Sequence, residues 1–199
     1  RTQGALVEVD DRVRAQGGRA TLVPLDLTAE DGIERLGGAL AERHGRLDAL
    51  VGNAAILGPL TPASHLTPAE LTRVMALNLI ANQRLIRSME PLLRAAPAGR
   101  AVFVTAAEAR AHKPFWSAYA MSKAALEALV SAWAAELQRS PVRVNLVMPP
   151  PMPTRLRAEA FPGERPDRLA RPEDQAGWIL ACIAPDYVQH GQLVHPEHR

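Results

Sequence analysis

Hydrophobic positions along the chain alternate between helical spacing and short continuous runs, the pattern of an α/β protein with a parallel sheet. Leu6, Val9 and Val13 recur at helical spacing over residues 5–16, and Gly17-Gly18 stops that helix. Residues 20–25 read as a strand ending at Asp26. Pro24 makes it an edge strand, because proline cannot donate to a ladder. Thr28 with Asp31 three residues on is a capping pattern for a helix that reaches His44. Residues 47–52 form a short apolar run suited to a buried central strand.

A loop carrying Pro and Gly follows from Asn53 to Leu66, and Thr67-Pro68 with Glu70 opens a long helix. Its apolar positions, from Leu71 and Val74 to Leu79, continue towards Leu93. Residues 101–105 predict a second buried strand, residues 116–138 an alanine-rich helix, and residues 142–147 a third strand. Pro149, Pro150, Pro151 and Pro153 then enforce an extended segment. A last helix starts near Pro172, and residues 192–194 suit a closing strand. There are no internal repeats, so residues 1–199 are expected to form one domain.

Composition narrows the class. At 199 residues, 47% hydrophobic and 22% charged, the chain is long and apolar enough to bury a full core, which excludes a disordered tail or a fibre. A net charge of +2 without runs of one sign argues against a nucleic-acid partner. No apolar stretch approaches the roughly 20 residues of a membrane span, and no secretory signal is recognisable. Cys182 stands alone, so neither a disulfide frame nor a cysteine metal site is expected, and a reducing cytoplasm fits. The first residue is not Met, so the chain is read as processed or as a piece of something longer.

Only two of the 23 basic residues are lysines, Lys113 and Lys123. Lys123 lies four residues after Tyr119 in Tyr119-Ala120-Met121-Ser122-Lys123, so both share one helix face. A free phenol titrates near pH 10 (about that value in peptides) and relays protons poorly at neutral pH. A neighbouring ammonium favours the phenolate, bringing the group closer to a useful general acid–base. Lysine suits that role as a compact charge with rotatable donors.

With this motif, the chain resembles the short-chain dehydrogenase/reductase family over nearly its whole length. Leu50-Val51-Gly52-Asn53-Ala54-Ala55 resembles the family's Asn-Asn-Ala-Gly element, and Asn78 in Leu77-Asn78-Leu79 matches its helix asparagine. Leu25-Asp26-Leu27 is similar to the step that contacts the adenine. Val144 to Pro149, with Thr154 five residues on, is similar to the segment closing over the nicotinamide. The resemblance implies a Rossmann-like, doubly wound parallel sheet in the order 3-2-1-4-5-6-7. It implies an NAD(P)-dependent oxidoreductase acting on a small-molecule carbonyl or alcohol. Assembly as a homodimer or homotetramer through the helices at 67–93 and 116–138 is expected.

By the same resemblance Tyr119 moves the proton, Lys123 holds the nicotinamide ribose and lowers the Tyr119 pKa, and Asn78 positions a water. Cofactor contacts fall on Asp26, Leu27, Asn53, Ala54, Tyr119, Lys123 and Thr154. Arg1 stands where a basic residue meets the NADP 2′-phosphate, which favours NADP over NAD. Asn53 is also readable as a tie for its loop, and Asp26 as a turn residue ending its strand.

Departures from the family pattern cluster at the chemistry. The catalytic serine position, thirteen residues before Tyr119, is Ala106, with Thr105 beside it as the candidate replacement hydroxyl. Two customary glycines are Ala55 and Pro150. The family's opening strand, glycine-rich turn and helix are not found, so the sheet is expected to lack its first two strands. The residue 20–25 strand should then stand apart or slide onto its neighbour. On these grounds the chain alone is not expected to hold the cofactor, and a non-catalytic relative is the alternative reading.

Overall fold

In the computed structural model, which describes residues 3–195, helices α1 (Gln3–Ala15) and α2 (Gly32–His44) precede the first strand, β1 (Ala49–Gly52). Helices α3 (Pro68–Met75) and α4 (Ala81–Ala95) lead to β2 (Arg100–Val104). Helices α5 (Glu108–Ala111) and α6 (Ser117–Glu136) lead to β3 (Arg143–Val147). Helices α7 (Arg155–Ala160) and α8 (Pro172–Ile183) lead to β4 (Leu193–Val194). The strands are all parallel and lie in the order β1-β2-β3-β4.

Helices cover both faces of this sheet, and strand alternation decides which side chain meets which layer. Ala101 and Phe103 of β2 join Val144 and Leu146 of β3 in one core with α4 and α6, where Phe103 meets Trp133 edge-on at 6.2 Å. Val102 and Val147 point the other way and pack with Cys182 and its neighbours on α8. The result is a three-layer, Rossmann-like arrangement. Among the described residues β1 pairs only with β2, so the reversal of strand order that defines a doubly wound sheet is not seen there.

The three central strands and the long helices fall where the hydrophobic pattern predicts them. Thr67 and Glu70 form the reciprocal capping box, each side chain bonding the other's backbone N–H (3.0 and 3.3 Å). The long helix is interrupted by one π-helical turn, Ala76–Ile80, which carries Asn78. Such turns are commonest at functional sites.

The start of the chain departs from expectation. Residues 18–26 form no strand and join no ladder. Pro24 has no N–H to donate, and among the described residues no strand pairs with the other backbone groups. The segment is held instead by Leu25 and Leu27, which pack on Ile33, Leu77 and Ala81. Thr28 does not cap α2: it bonds Asp26 through its N–H and its hydroxyl (2.9 and 2.7 Å), and α2 begins after Asp31, at φ 59°. The apolar face of α1 is not buried, with Val7 and Val9 about half exposed. The short helices α5 and α7 are not foreshadowed by the periodicity. Among the described residues no helix is long and apolar enough to cross a membrane, and no cluster of three or more His, Cys, Asp or Glu could hold a metal ion.

Candidate active site

The carboxyl ends of β1, β2 and β3 open onto one cavity of about 300 Å³. Asn53 follows β1, Thr105 and Ala106 follow β2, and Pro149 and Pro150 follow β3; all five line it. This is the crevice in which open parallel α/β sheets bind ligands. From α6, Tyr119 and Lys123 project into the same space, and Thr154 closes it from the start of α7.

Tyr119 and Lys123 are both buried, and the Lys123 ammonium lies 5.8 Å from the Tyr119 ring centre. Lys123 Nζ donates to the Val104 carbonyl at 2.8 Å, which fixes it at the end of β2. Burial pulls the Lys123 pKa down to about 8, with Glu127 opposing the shift. Tyr119 moves against the sequence expectation: burial and the Glu108 carboxylate push its phenol above the usual value. The Lys123 ammonium, meanwhile, is directed at the Val104 backbone carbonyl. Tyr119 is therefore held in its neutral, protonated form.

Asn78, fully buried on the π-helical turn, binds the loop after β1. Its Oδ1 accepts from Ile56 N–H, and its Nδ2 donates to the Ile56 carbonyl and to Ser122 Oγ, all at 2.9 Å. Ser122 passes its own hydrogen to the Tyr119 carbonyl at 2.8 Å. The Asn78 carbonyl accepts from Asn82 Nδ2 at 2.8 Å. Asn78 thus joins the residue 53–58 loop to the helix that bears Tyr119. Gly58 in that loop, at φ +75°, sits so close to Val74 that a Cβ there would overlap it.

Thr105 lines the cavity, yet its hydroxyl donates to Glu127 Oε1 at 2.7 Å, and Arg110 pairs with the other carboxylate oxygen at 2.8 Å. Ala106 packs in the cluster formed by Leu57, Trp116 and Tyr119, so the thirteen-residue spacing brings it to the site with a methyl group. Ala55 and Pro150, the other two departures, line the same cavity.

The remaining sequence candidates divide. Thr154 Oγ1 caps α7 by accepting from Arg157 N–H at 3.2 Å. Leu27 and Ala54 pack in a second cluster beside the cavity, with Asp26 on a neighbouring groove shared with Ile56 and Leu77. Arg1 lies outside the described residues. Trp116, Ser122, Glu127 and Arg157 were not foreseen as site residues. For Ser122 and Glu127 a signal existed, since one sits inside the Tyr-Lys motif and the other one helical turn beyond Lys123.

The donor set suits the nicotinamide–ribose end of a dinucleotide: a phenol, an ammonium, a carboxamide and a hydroxyl around one cleft at the strand ends. Comparison with known proteins agrees. The chain is 32% identical over 189 residues to the uncharacterized oxidoreductase YciK of Escherichia coli K12, covering 94% of this chain and 75% of that one. It is 35% identical over 151 residues to the short-chain dehydrogenase/reductase FrzI of Cladobotryum, spanning only 57% of that relative's length. A short chain dehydrogenase structure from Escherichia coli CFT073, complexed with NADPH, superposes with a TM-score of 0.91 at 30% identity, covering 98% of this chain and 82% of the other. The sequence profile described as short chain dehydrogenase matches residues 1–165, and with that match the chain belongs to the short chain dehydrogenase family.

Proposed function

We propose that the chain carries the catalytic part of an NADP(H)-dependent oxidoreductase that interconverts a carbonyl compound and its alcohol. The observation that carries this reading is that Tyr119 and Lys123, one helical turn apart, open into a single cleft at the carboxyl ends of three parallel strands. The NADPH complex of the Escherichia coli CFT073 relative supports the choice of cofactor.

A bound nicotinamide would supply or accept the hydride. Tyr119 then gives its phenolic proton to the substrate oxygen during reduction and takes it back during oxidation. Lys123, with a pKa near 8, carries a proton at neutral pH and can restore the one that Tyr119 loses. Asn53 and Thr154 would hold the carboxamide and ribose side, and Asn78 keeps the loop bearing Asn53 fixed. Ala54, Leu27 and Asp26 would hold the adenosine end.

Ala106, Ala55 and Pro150 on the cavity wall favour a second reading, a non-catalytic relative that does not hold the cofactor. One experiment separates the two: NADPH is mixed with the purified chain and a panel of aldehydes and ketones, and its oxidation is followed by absorbance. Turnover that disappears in Tyr119→Phe supports the enzyme. Failure both to bind NADPH and to turn over any substrate supports the second reading.

A further inference from the structure

The wall of the cavity around Tyr119 is aromatic and aliphatic. Trp116, 8% exposed, ends the turn that leads into α6 and lines the cavity three residues before Tyr119. Its ring meets Tyr119 edge-on at 6.0 Å and lies over Phe161 at 5.6 Å, tilted by 34°. Leu156 and Ala160 of α7 and the Ala106 methyl complete this side, where a serine hydroxyl would have added a donor.

The charged side chains beside the Trp116 wall are already paired. Arg157 gives two hydrogen bonds to Glu164, both at 2.6 Å, and its guanidinium lies 3.8 Å over the Phe161 ring centre. Glu108 pairs with Lys113 at 2.9 Å, and Lys113 in turn faces Trp116 at 5.2 Å. Lys123 is bound to the Val104 carbonyl. An anionic group set against the Trp116 wall would have to open the Arg157–Glu164 pair or lie against Glu108. Either costs more than leaving an uncharged ring in an apolar pocket.

The backbone is also bent to keep this wall. Phe115, immediately before Trp116, sits at φ +73°, a conformation that a bulky side chain adopts only under constraint. Its carbonyl accepts from Thr61 N–H at 3.0 Å, which ties the turn to the loop after β1. The left-handed residue leaves Phe115 itself about half exposed and sends Trp116 inward.

We propose that the substrate is an uncharged carbonyl compound, or its alcohol, bearing an aromatic or alicyclic ring beside the reacting carbon, and that Trp116 is the specificity-determining residue on which the ring packs. This rests on reading the cavity as the reaction site, but it is testable without turnover.

Acetophenone and benzoylformate share one ring and differ by a carboxylate, which makes them a matched pair of probes. Their binding to the full chain is measured by ligand-observed NMR, with intermolecular NOEs to the Trp116 indole locating the ring. Acetophenone is expected to show NOEs to Trp116 and to bind at least about tenfold more tightly than benzoylformate. Trp116→Ala should weaken acetophenone by a similar factor, while Trp116→Phe, the safer variant for folding, should keep most of the binding. Equal affinity for the two probes, or NOEs that miss Trp116, overturns the proposal. Acetophenone bound at Trp116 by a chain that never oxidises NADPH upholds the ring site while removing the proposed reaction. Turnover indifferent to probe charge does the reverse.

Discussion

Thr105 donates its hydroxyl hydrogen to Glu127 at 2.7 Å, one helical turn beyond Lys123. The preceding residue, Val104, receives the Lys123 ammonium. Two successive residues at the end of β2 are therefore tied to two successive turns of α6, and Arg110 braces Glu127 from α5. The Thr105 hydroxyl serves the scaffold. Thr105→Val should leave one oxygen of a buried carboxylate without its donor and lower stability by about 1–3 kcal/mol in urea unfolding. An unchanged midpoint would free Thr105 for the chemistry after all.

Lys123 makes stability depend on pH. Its pKa falls from 10.5 in the unfolded chain to about 8 in the folded one. Below pH 8 both states hold the proton, and the fold bears the cost of the buried charge. From pH 8 to 10.5 the unfolded chain binds more protons, so stability rises with pH, at most by about 1.4 kcal/mol per unit. Tyr119, shifted upward, acts oppositely above pH 10. Denaturant midpoints between pH 7 and 9.5 should climb in the wild type and flatten in Lys123→Met. A parallel climb in both would assign the slope to another group.

The parts of the fold legible in the sequence are those whose physics is local. The Thr67–Glu70 capping box, the apolar runs of β1 to β3 and the alanine-rich α6 each carry their signal within a few residues. The residue 20–25 strand failed because a strand is a pairing, and no ladder partner lies beside it among the described residues. Tyr119 and Lys123 were readable from i,i+4 spacing, and Ala106 from its distance to Tyr119. The direction of the Tyr119 shift was not, since burial and Glu108 arise from the tertiary fold.

Hydrogen exchange should reveal that missing ladder. Amides of residues 20–23 make no backbone hydrogen bonds to a sheet and should exchange orders of magnitude faster than those of β2, which is paired on both sides. Slow exchange across 20–23 would mean that the segment pairs in solution, with a second chain or with β1.

Gly58→Ala probes how strictly the residue 53–58 loop is set. At φ +75° an L-residue costs about 1–2 kcal/mol, and the added methyl would also displace Val74. Gly163, with open space where a Cβ would go and no left-handed φ, is the control and should tolerate Ala. If Gly58→Ala matches that control in thermal melting, the loop is softer than its packing indicates, and Asn53 is not held by it.

Placing a hydroxyl at position 106 tests the proposed chemistry most directly. Ala106 stands in the cluster with Tyr119 and Trp116, and a serine there would set a donor beside the phenol. A preorganised donor aimed at the reacting oxygen is commonly worth roughly 10²–10³ in rate. Ala106→Ser should therefore raise NADPH-dependent reduction of a carbonyl substrate by at least about an order of magnitude. Tyr119→Phe in that background should abolish the gain, because the proton donor is then gone. Thr105→Val should leave turnover nearly intact once its stability loss is allowed for, since its hydrogen is directed at Glu127 rather than the cavity. If Ala106→Ser changes nothing while Thr105→Val removes activity, Thr105 must turn from Glu127 towards the substrate during reaction. The rise in Ala106→Ser should appear in kcat rather than KM, because the hydroxyl acts on charge that develops only as the carbonyl is reduced.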